Sequence, residues 1–203
     1  MKTQLKKIAI LFISLLAISC SKDDDNLTPN PTPVVYQEEN FLNTFLSTSG
    51  LDQVVQTISD ENYSLIEYLE FSATQKGKIT SLSFKVPATT TLNSVILRIV
   101  DAETGSLVKE ISTSSSDYTA GTIKTVTVSP AIELTKDKKY RIGMVSKSTY
   151  ERKRSNSADV AYPIQVGNIK LWGFSETDIN TSVNTNNPGY YYGDFSFTFL
   201  RTE

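Results

Sequence analysis

The amino-acid sequence predicts an all-β fold: a two-sheet antiparallel sandwich of jelly-roll type with a short helix at its N-terminal side. Three observations carry this expectation. Apolar residues recur with period two from about residue 64 onward, turn-forming residues separate the runs, and no long amphipathic helix interrupts them. A parallel α/β sheet is excluded because its strands need crossover helices. At 203 residues the chain suffices for one ordinary domain with appendages and a sizeable core.

The elements follow in order. Within residues 38–46 the pairs Phe41/Phe45 and Leu42/Leu46 fall one helical turn apart, behind Glu38 and Glu39 and ahead of Gly50, which reads as a short helix. Leu69, Phe71 and Ala73 alternate with Glu70 and Ser72, and Leu82, Phe84 and Val86 alternate with Ser83 and Lys85, as half-buried strands do. Val95, Leu97 and Ile99, with Ile96 and Val100 between them, make a strand apolar on both faces, which implies a central position in a sheet. Asp101-Ala102-Glu103-Thr104-Gly105 then turns the chain into residues 107–111 as a hairpin. Residues 123–128, Tyr140/Ile142/Met144, residues 164–166, residues 169–174 and Phe195/Phe197/Phe199 complete about eight or nine strands. Pro87, Pro130 and Pro163 are expected at strand ends or edges, where a missing N–H costs least.

Composition narrows the function. Lys plus Arg number 20 against 22 Asp plus Glu, a balance without the basic surplus of a nucleic-acid binder, so no nucleic acid is expected as partner. With no histidine and one cysteine, Ser-His and Cys-His nucleophile pairs and His-ligated zinc or iron sites are excluded. Paired carboxylates of the glycosidase kind remain open. Asp101, Glu103, Asp159, Asp178 and Asp194 are the candidates, but none lies in a recognisable catalytic frame, and the chain is read as non-enzymatic. A structural calcium would need clustered oxygen ligands. No D-x-D-x-D-G loop supplies them, so no cofactor is expected, and a structural calcium stays open without a ligand set to support it.

The N-terminus reads as an export signal. Lys2, Lys6 and Lys7 precede an apolar run over residues 8–18, and Ser19 stands just before Cys20, the three-part layout of a signal peptide. The run is shorter than the roughly 20 apolar residues that a bilayer span needs. Ala17-Ile18-Ser19-Cys20 resembles the lipobox of bacterial lipoproteins, which implies cleavage before Cys20 and acylation of its thiol; Ala17 departs from the commoner Leu. The alternative is an ordinary secretory signal with an incidental cysteine. Ser21-Lys22-Asp23-Asp24-Asp25 resembles the acidic surface-export signal of Bacteroidota-type lipoproteins, which implies the outward face of the outer membrane. By charge alone the same run reads as a solvated linker, and a periplasm-facing anchor stays open. Alternate prolines at Pro29, Pro31 and Pro33 favour extended backbone, so residues 21–36 reach roughly 50 Å at about 3.1 Å per residue. The expected organisation is a signal peptide over 1–19, an acylated cysteine with an acidic, Pro-rich tether over 20–36, and one β-sandwich domain over 37–203. Loss of the three leader lysines from the 20 basic residues leaves 17 against 22 acids, a mildly acidic mature protein.

Over roughly residues 60–200, a series of segments is similar to the uncharacterised bacterial domain of unknown function four-zero-eight-two. They are Phe71-Ser72-Ala73, Gly77-Lys78-Ile79-Thr80-Ser81-Leu82-Ser83-Phe84, Ile99-Val100-Asp101, Thr104-Gly105-Ser106-Leu107, Thr125-Val126-Thr127-Val128, Ile132 to Ile142, and Tyr190-Tyr191-Tyr192 with Phe195-Ser196-Phe197-Thr198-Phe199. The resemblance implies a jelly-roll-like sandwich of exported proteins, sometimes beside carbohydrate-related modules. It brings no catalytic residues.

Two segments suggest binding. Residues 173–189 form a long amide-rich stretch carrying Asn184, Asn186 and Asn187, bracketed by Trp172 and Phe174 before and by Tyr190, Tyr191 and Tyr192 after. Aromatic rings that stack on sugar C–H faces, beside amides that bond hydroxyls, make a glycan patch. Strand alternation sends at least one of these tyrosines inward, and rim aromatics capping a sandwich are the plainer reading. Residues 146–159 carry Lys147, Arg152, Lys153 and Arg154 around Tyr150, a positive patch suited to anionic polysaccharide or lipopolysaccharide phosphate, or else an ordinary exposed basic turn. The resulting expectation is a lipid-anchored, outward-facing outer-membrane protein that acts as a non-enzymatic binding or adhesion module for glycans. An accessory subunit docking on another surface protein is the alternative, and a carboxylate-pair glycoside hydrolase stands third.

Replacing Cys20 with Ser is expected to move the protein from the membrane fraction to the soluble one, because the acyl chains are the anchor. Unchanged partition of Cys20→Ser into a detergent phase would overturn lipidation.

Overall fold

Strands with one apolar face must cover it, and here the covering face is a second sheet. The computed structural model describes residues 36–59, 65–88, 94–154, 160–175, 186–187 and 190–203. The expected signal peptide, Cys20 and all of the tether before Tyr36 lie outside the described residues, as do Asp159, Asp178 and Asn184. Tyr36–Glu203 cluster as one compact unit.

The chain runs β1 (Glu38–Asn40), α1 (Leu42–Ser49), β2 (Gln53–Ser59), β3 (Leu65–Ala73), β4 (Gly77–Lys85), β5 (Val95–Asp101), β6 (Leu107–Thr113), a 3-10 turn (Ser115–Asp117), β7 (Lys124–Leu134) and β8 (Lys139–Ser146). It continues through β9 (Ser148–Lys153), β10 (Val160–Ala161), β11 (Ile164–Val166), β12 (Ile169–Ser175), β13 (Asn186–Asn187), β14 (Tyr190–Tyr192) and β15 (Asp194–Arg201). One sheet has the order β1-β15-β4-β7 and the larger one β11-β12-β3-β8-β5-β6. A three-stranded sheet, β14-β9-β2, and the short pair β10-β13 complete the described strands. All pairings between named strands are antiparallel. The fold is an antiparallel β-sandwich.

Period two sets the core. Phe195, Phe197 and Phe199 of β15 face Leu69, Phe71 and Ala73 of β3, and all six are buried. Phe197 touches Phe71 at 4.6 Å between ring centroids and Phe41 at 4.7 Å. Val95, Leu97 and Ile99 join the core from β5, which lies between β8 and β6, the interior position that its two apolar faces predict. Pro130 sits in β7, an edge strand, where Val128 to Ala131 lie opposite Thr80 alone and the ladder needs no donor.

The structure corrects the N-terminal helix. Glu38 and Glu39 belong to β1, paired with Leu200 and Phe199 of β15, and the helix covers Leu42–Ser49. The two acids are held by partners distant in sequence: Thr80 donates to Glu38 (2.9 Å) and the Asn168 amide to Glu39 (2.9 Å). The helix stop is where expected. Gly50 takes φ 73°, its N–H reaches the Ser47 carbonyl at 3.2 Å, and the Leu51 N–H reaches that of Leu46 at 2.8 Å.

Two bends lead strands between sheets. β8 passes to β9 across Lys147, and β14 passes to β15 across Gly193, whose φ of 100° and N–H bond to the Tyr150 carbonyl (2.8 Å) make the corner. On the outer face of the larger sheet, Tyr68 lies over Gly143, its partner across the β3–β8 ladder. A Cβ at Gly143 would fall 2.0 Å from the Tyr68 ring. Gly143→Ala is therefore expected to destabilise the protein by about 1–3 kcal/mol, the usual cost of overpacking. Denaturant unfolding measures it, and the same substitution in a Tyr68→Ala background should cost much less; equal costs in both backgrounds would show that the ring is not the obstacle.

Candidate functional site

Outward positions on β4 and β15 are polar by the same alternation that buries their phenylalanines: Ser83 and Lys85 on one strand, Asp194 and Ser196 on the other. The β15–β4 ladder sets Ser196 beside Ser83 and Asp194 beside Lys85. Helix α1 lies along this face and contributes Leu42, Asn43 and Leu46. With Asn40, Ile123 and Arg152 these residues enclose a groove of about 300 Å³.

Local hydrogen bonds hold the groove in shape. Asn40 Oδ1 accepts from Ser196 Oγ at 2.9 Å and from the Leu42 N–H at 3.3 Å, so one side chain ties the start of α1 to β15. Two donors aimed at that oxygen also orient the amide, which leaves Asn40 Nδ2 as the group offered to the groove. Ser83 Oγ bonds Thr125 Oγ1 at 2.9 Å.

At the floor, Arg152 Nε donates to Asp194 Oδ1 at 2.8 Å while Nη2 donates to Oδ2, a two-pronged pair. Side-chain exposure is 13% for Arg152 and 3% for Asp194. Burial opposes the guanidinium charge, but the hydrogen bond and charge of Asp194 outweigh it and hold Arg152 protonated above its ordinary range. The Arg152 guanidinium also stands 5.5 Å from the Tyr150 ring, and Lys85 Nζ is 5.2 Å from the same ring. Burial pushes the Tyr150 phenol up, with the Asp194 charge adding to it.

The sequence-predicted residues divide among several places. Tyr191 is a correction: it is wholly buried against Phe45, Phe174 and Phe195, so its ring cannot meet a ligand. Burial drives its phenol well above the ordinary range. Tyr190 and Tyr192 point to the other side of β14, half-buried, with ring centroids 5.3 Å apart. Trp172 stands on the outer face of the larger sheet, where its indole N–H donates to Ser72 Oγ at 3.0 Å. Lys139 and Lys170 place ammonium groups 4.2 and 4.1 Å from its ring centroid. Trp172 and the tyrosines therefore do not form one aromatic strip. They lie on different sheets because β14 pairs with β9 and β12 with β3. The stretch expected to be one long loop holds the end of β12 and the strand β13, where Asn186 and Asn187 pair with Ala161 and Val160; Asn184 lies outside the described residues.

The basic segment is likewise corrected. Its first part is strand β9, and alternation separates its charges. Lys147 is exposed at the bend, Arg152 is committed to Asp194, Lys153 pairs with the buried Glu151 at 3.1 Å, and Arg154 lies against Gly50. Acids supplied by β9 and β15 offset the expected patch. Among the carboxylate candidates, Asp101 closes the β5–β6 turn by accepting from the Glu103 and Thr104 amides and from Lys138, whose bond contributes most to holding it down at about 2. Asp194 is the one carboxylate lining the groove. Among the described residues no group of three or more His, Cys, Asp or Glu side chains is arranged to hold a metal, and no helix is long and apolar enough to cross a membrane. Sequence reasoning missed Asn40, Asn43, Ser83, Lys85, Asp194 and Ser196 as a binding set. The signal available was the polar half of two alternating strands.

No protein-family model matches the chain, and no curated protein matches it.

Cutting the floor pair is expected to be costly. Asp194→Ala should destabilise by about 3 kcal/mol, because it strands a largely buried guanidinium. The double variant Arg152→Ala/Asp194→Ala should lose clearly less than the sum of the single losses in denaturant unfolding; additive losses would show that the pair is not coupled.

Proposed function

We propose that this chain is an exported lipoprotein, acylated at Cys20 and carried outward from the outer membrane on its residue 20–36 tether, whose sandwich acts as a non-enzymatic glycan-binding or adhesion module. The leader, lipobox and acidic run support the location. The observation that carries the binding reading is the groove beside α1: side-chain amides and hydroxyls from Asn40, Asn43, Ser83 and Ser196 surround an apolar wall of Leu42 and Leu46, over a locked ion pair. Saccharides present hydroxyls around C–H patches, and this lining offers a counterpart to both. Because Arg152 and Asp194 are already paired, the floor needs no reorganisation when a ligand arrives. Its volume, about 300 Å³, is at the small end for ligand sites and suits a terminal sugar unit.

The second reading, an accessory subunit docking on another surface protein, has Leu107 and Val108 behind it. Both are exposed, Leu107 at 58%, on the edge strand β6. A hydrolase is supported less, since the pair mechanism needs a second acid across the scissile bond and Asp194 is tied to Arg152.

Full-length protein in detergent, screened on a broad glycan array, should bind a restricted set of saccharides. Asn43→Ala, at an exposed position of α1, should lower that affinity about fivefold, the order expected from removing one hydrogen bond, without a matching loss of fold. An array with no binding, or an Asn43→Ala variant that binds as the parent does, would refute the groove as a glycan site.

A further inference from the structure

The groove has a charge that its floor does not cancel. Of its lining residues three are ionised, Lys85, Arg152 and Asp194, and the last two neutralise each other. Lys85 has no carboxylate within ion-pair distance among the described residues; its ammonium rests 5.2 Å from the Tyr150 ring centroid, which it shares with Arg152. Asn40 has spent its oxygen on Ser196 and Leu42 and offers its NH₂, and Lys85 offers only donors, whereas Asn43, Ser83 and Ser196 have acceptor capacity as well. A space holding one uncancelled cation beside the Asn40 amide donor is matched by an acceptor that carries a negative charge.

The other lysine-rich surface mixes its charges. Around the β7–β8 turn, Lys138 is bound to Asp101, Lys139 and Arg141 share Glu70, and Lys136 stands exposed on a lining that also carries Glu103 and Asp137.

We infer that the groove selects an acidic saccharide, one whose ring bears a single carboxylate or sulfate, and that Lys85 reads that charge while the amide of Asn40 orients it. The inference rests on the glycan-binding reading and adds the ligand's chemical class.

Three probes separate the possibilities: an oligosaccharide containing glucuronate, the same compound with its carboxyl groups reduced to neutral alcohols, and a neutral oligosaccharide bearing one sulfate ester. Binding to the detergent-solubilised full chain is measured by calorimetry at low and moderate salt. At least one acidic probe should bind about tenfold or more tighter than the reduced form, the scale of one charge-assisted hydrogen bond, and the margin should narrow as salt rises. Which acidic probe wins identifies the substituent. Lys85→Gln should weaken the preferred acidic probe about tenfold more than the reduced one and so erase the preference, whereas Lys85→Arg should keep it. Equal binding of all three probes by the parent, or a preference that survives Lys85→Gln, would overturn the inference and leave the glycan reading standing. Binding of none of them, together with a blank glycan array, would remove both.

Discussion

Phe197 is clamped between Phe71 of the opposite sheet and Phe41 beside α1, and the parity this contact imposes governs the rest of the molecule. With Phe195, Phe197 and Phe199 turned inward, Asp194, Ser196 and Thr198 have no choice but the outer face. A one-residue slip of β15 would turn three phenylalanines out of the core and strip the groove of its floor. Core and candidate site are thus opposite faces of one strand, stabilised by the same burial.

The polar interactions then specify what apolar packing leaves open. Apolar burial is not directional and does not determine how α1 lies on β15. Asn40 supplies that direction by bonding both the Leu42 N–H and Ser196, and Arg152 supplies it between β9 and β15 by gripping Asp194. Both contacts lie at the corner where β14 turns into β15 through Gly193. A largely buried ion pair adds little net stability over a hydrophobic substitute, but each member is costly to strand, which makes the pair a device for holding a particular arrangement of strands. The groove depends on that arrangement more than on any one lining residue.

Much of this was legible in the sequence. The alternation at Leu82, Phe84 and Val86 and at Phe195, Phe197 and Phe199 named the inward residues, Ile96 and Val100 opposite Val95, Leu97 and Ile99 named an interior strand, and Gly50 marked the helix stop. The errors share one cause. Glu38 and Glu39 looked like the acidic first turn of a helix, yet Thr80 and Asn168 hold them in an edge strand. Lys147, Arg152, Lys153 and Arg154 looked like one basic loop, yet they lie along and just beyond strand β9, where its own Glu151 and Asp194 of β15 take up two of the charges. Alternation foretells that at least one of Tyr190, Tyr191 and Tyr192 turns inward, and Tyr191 is the one, but Trp172, which looked like their companion, stands on another sheet. Proximity in sequence was mistaken for proximity in space.

By itself, then, the sequence determined the class of fold and the face on which each strand residue stands, because Cβ direction alternates along an extended backbone whatever lies next to it. The proposal of export rests on the sequence as well, on the apolar run at residues 8–18 and Cys20. Tertiary structure alone decided that Arg152 meets Asp194 across 42 positions and that Asn40 meets Ser196 across 156. Those meetings depend on which strands become neighbours, a property of the whole sheet order that no local pattern encodes, and the groove exists only once they are made.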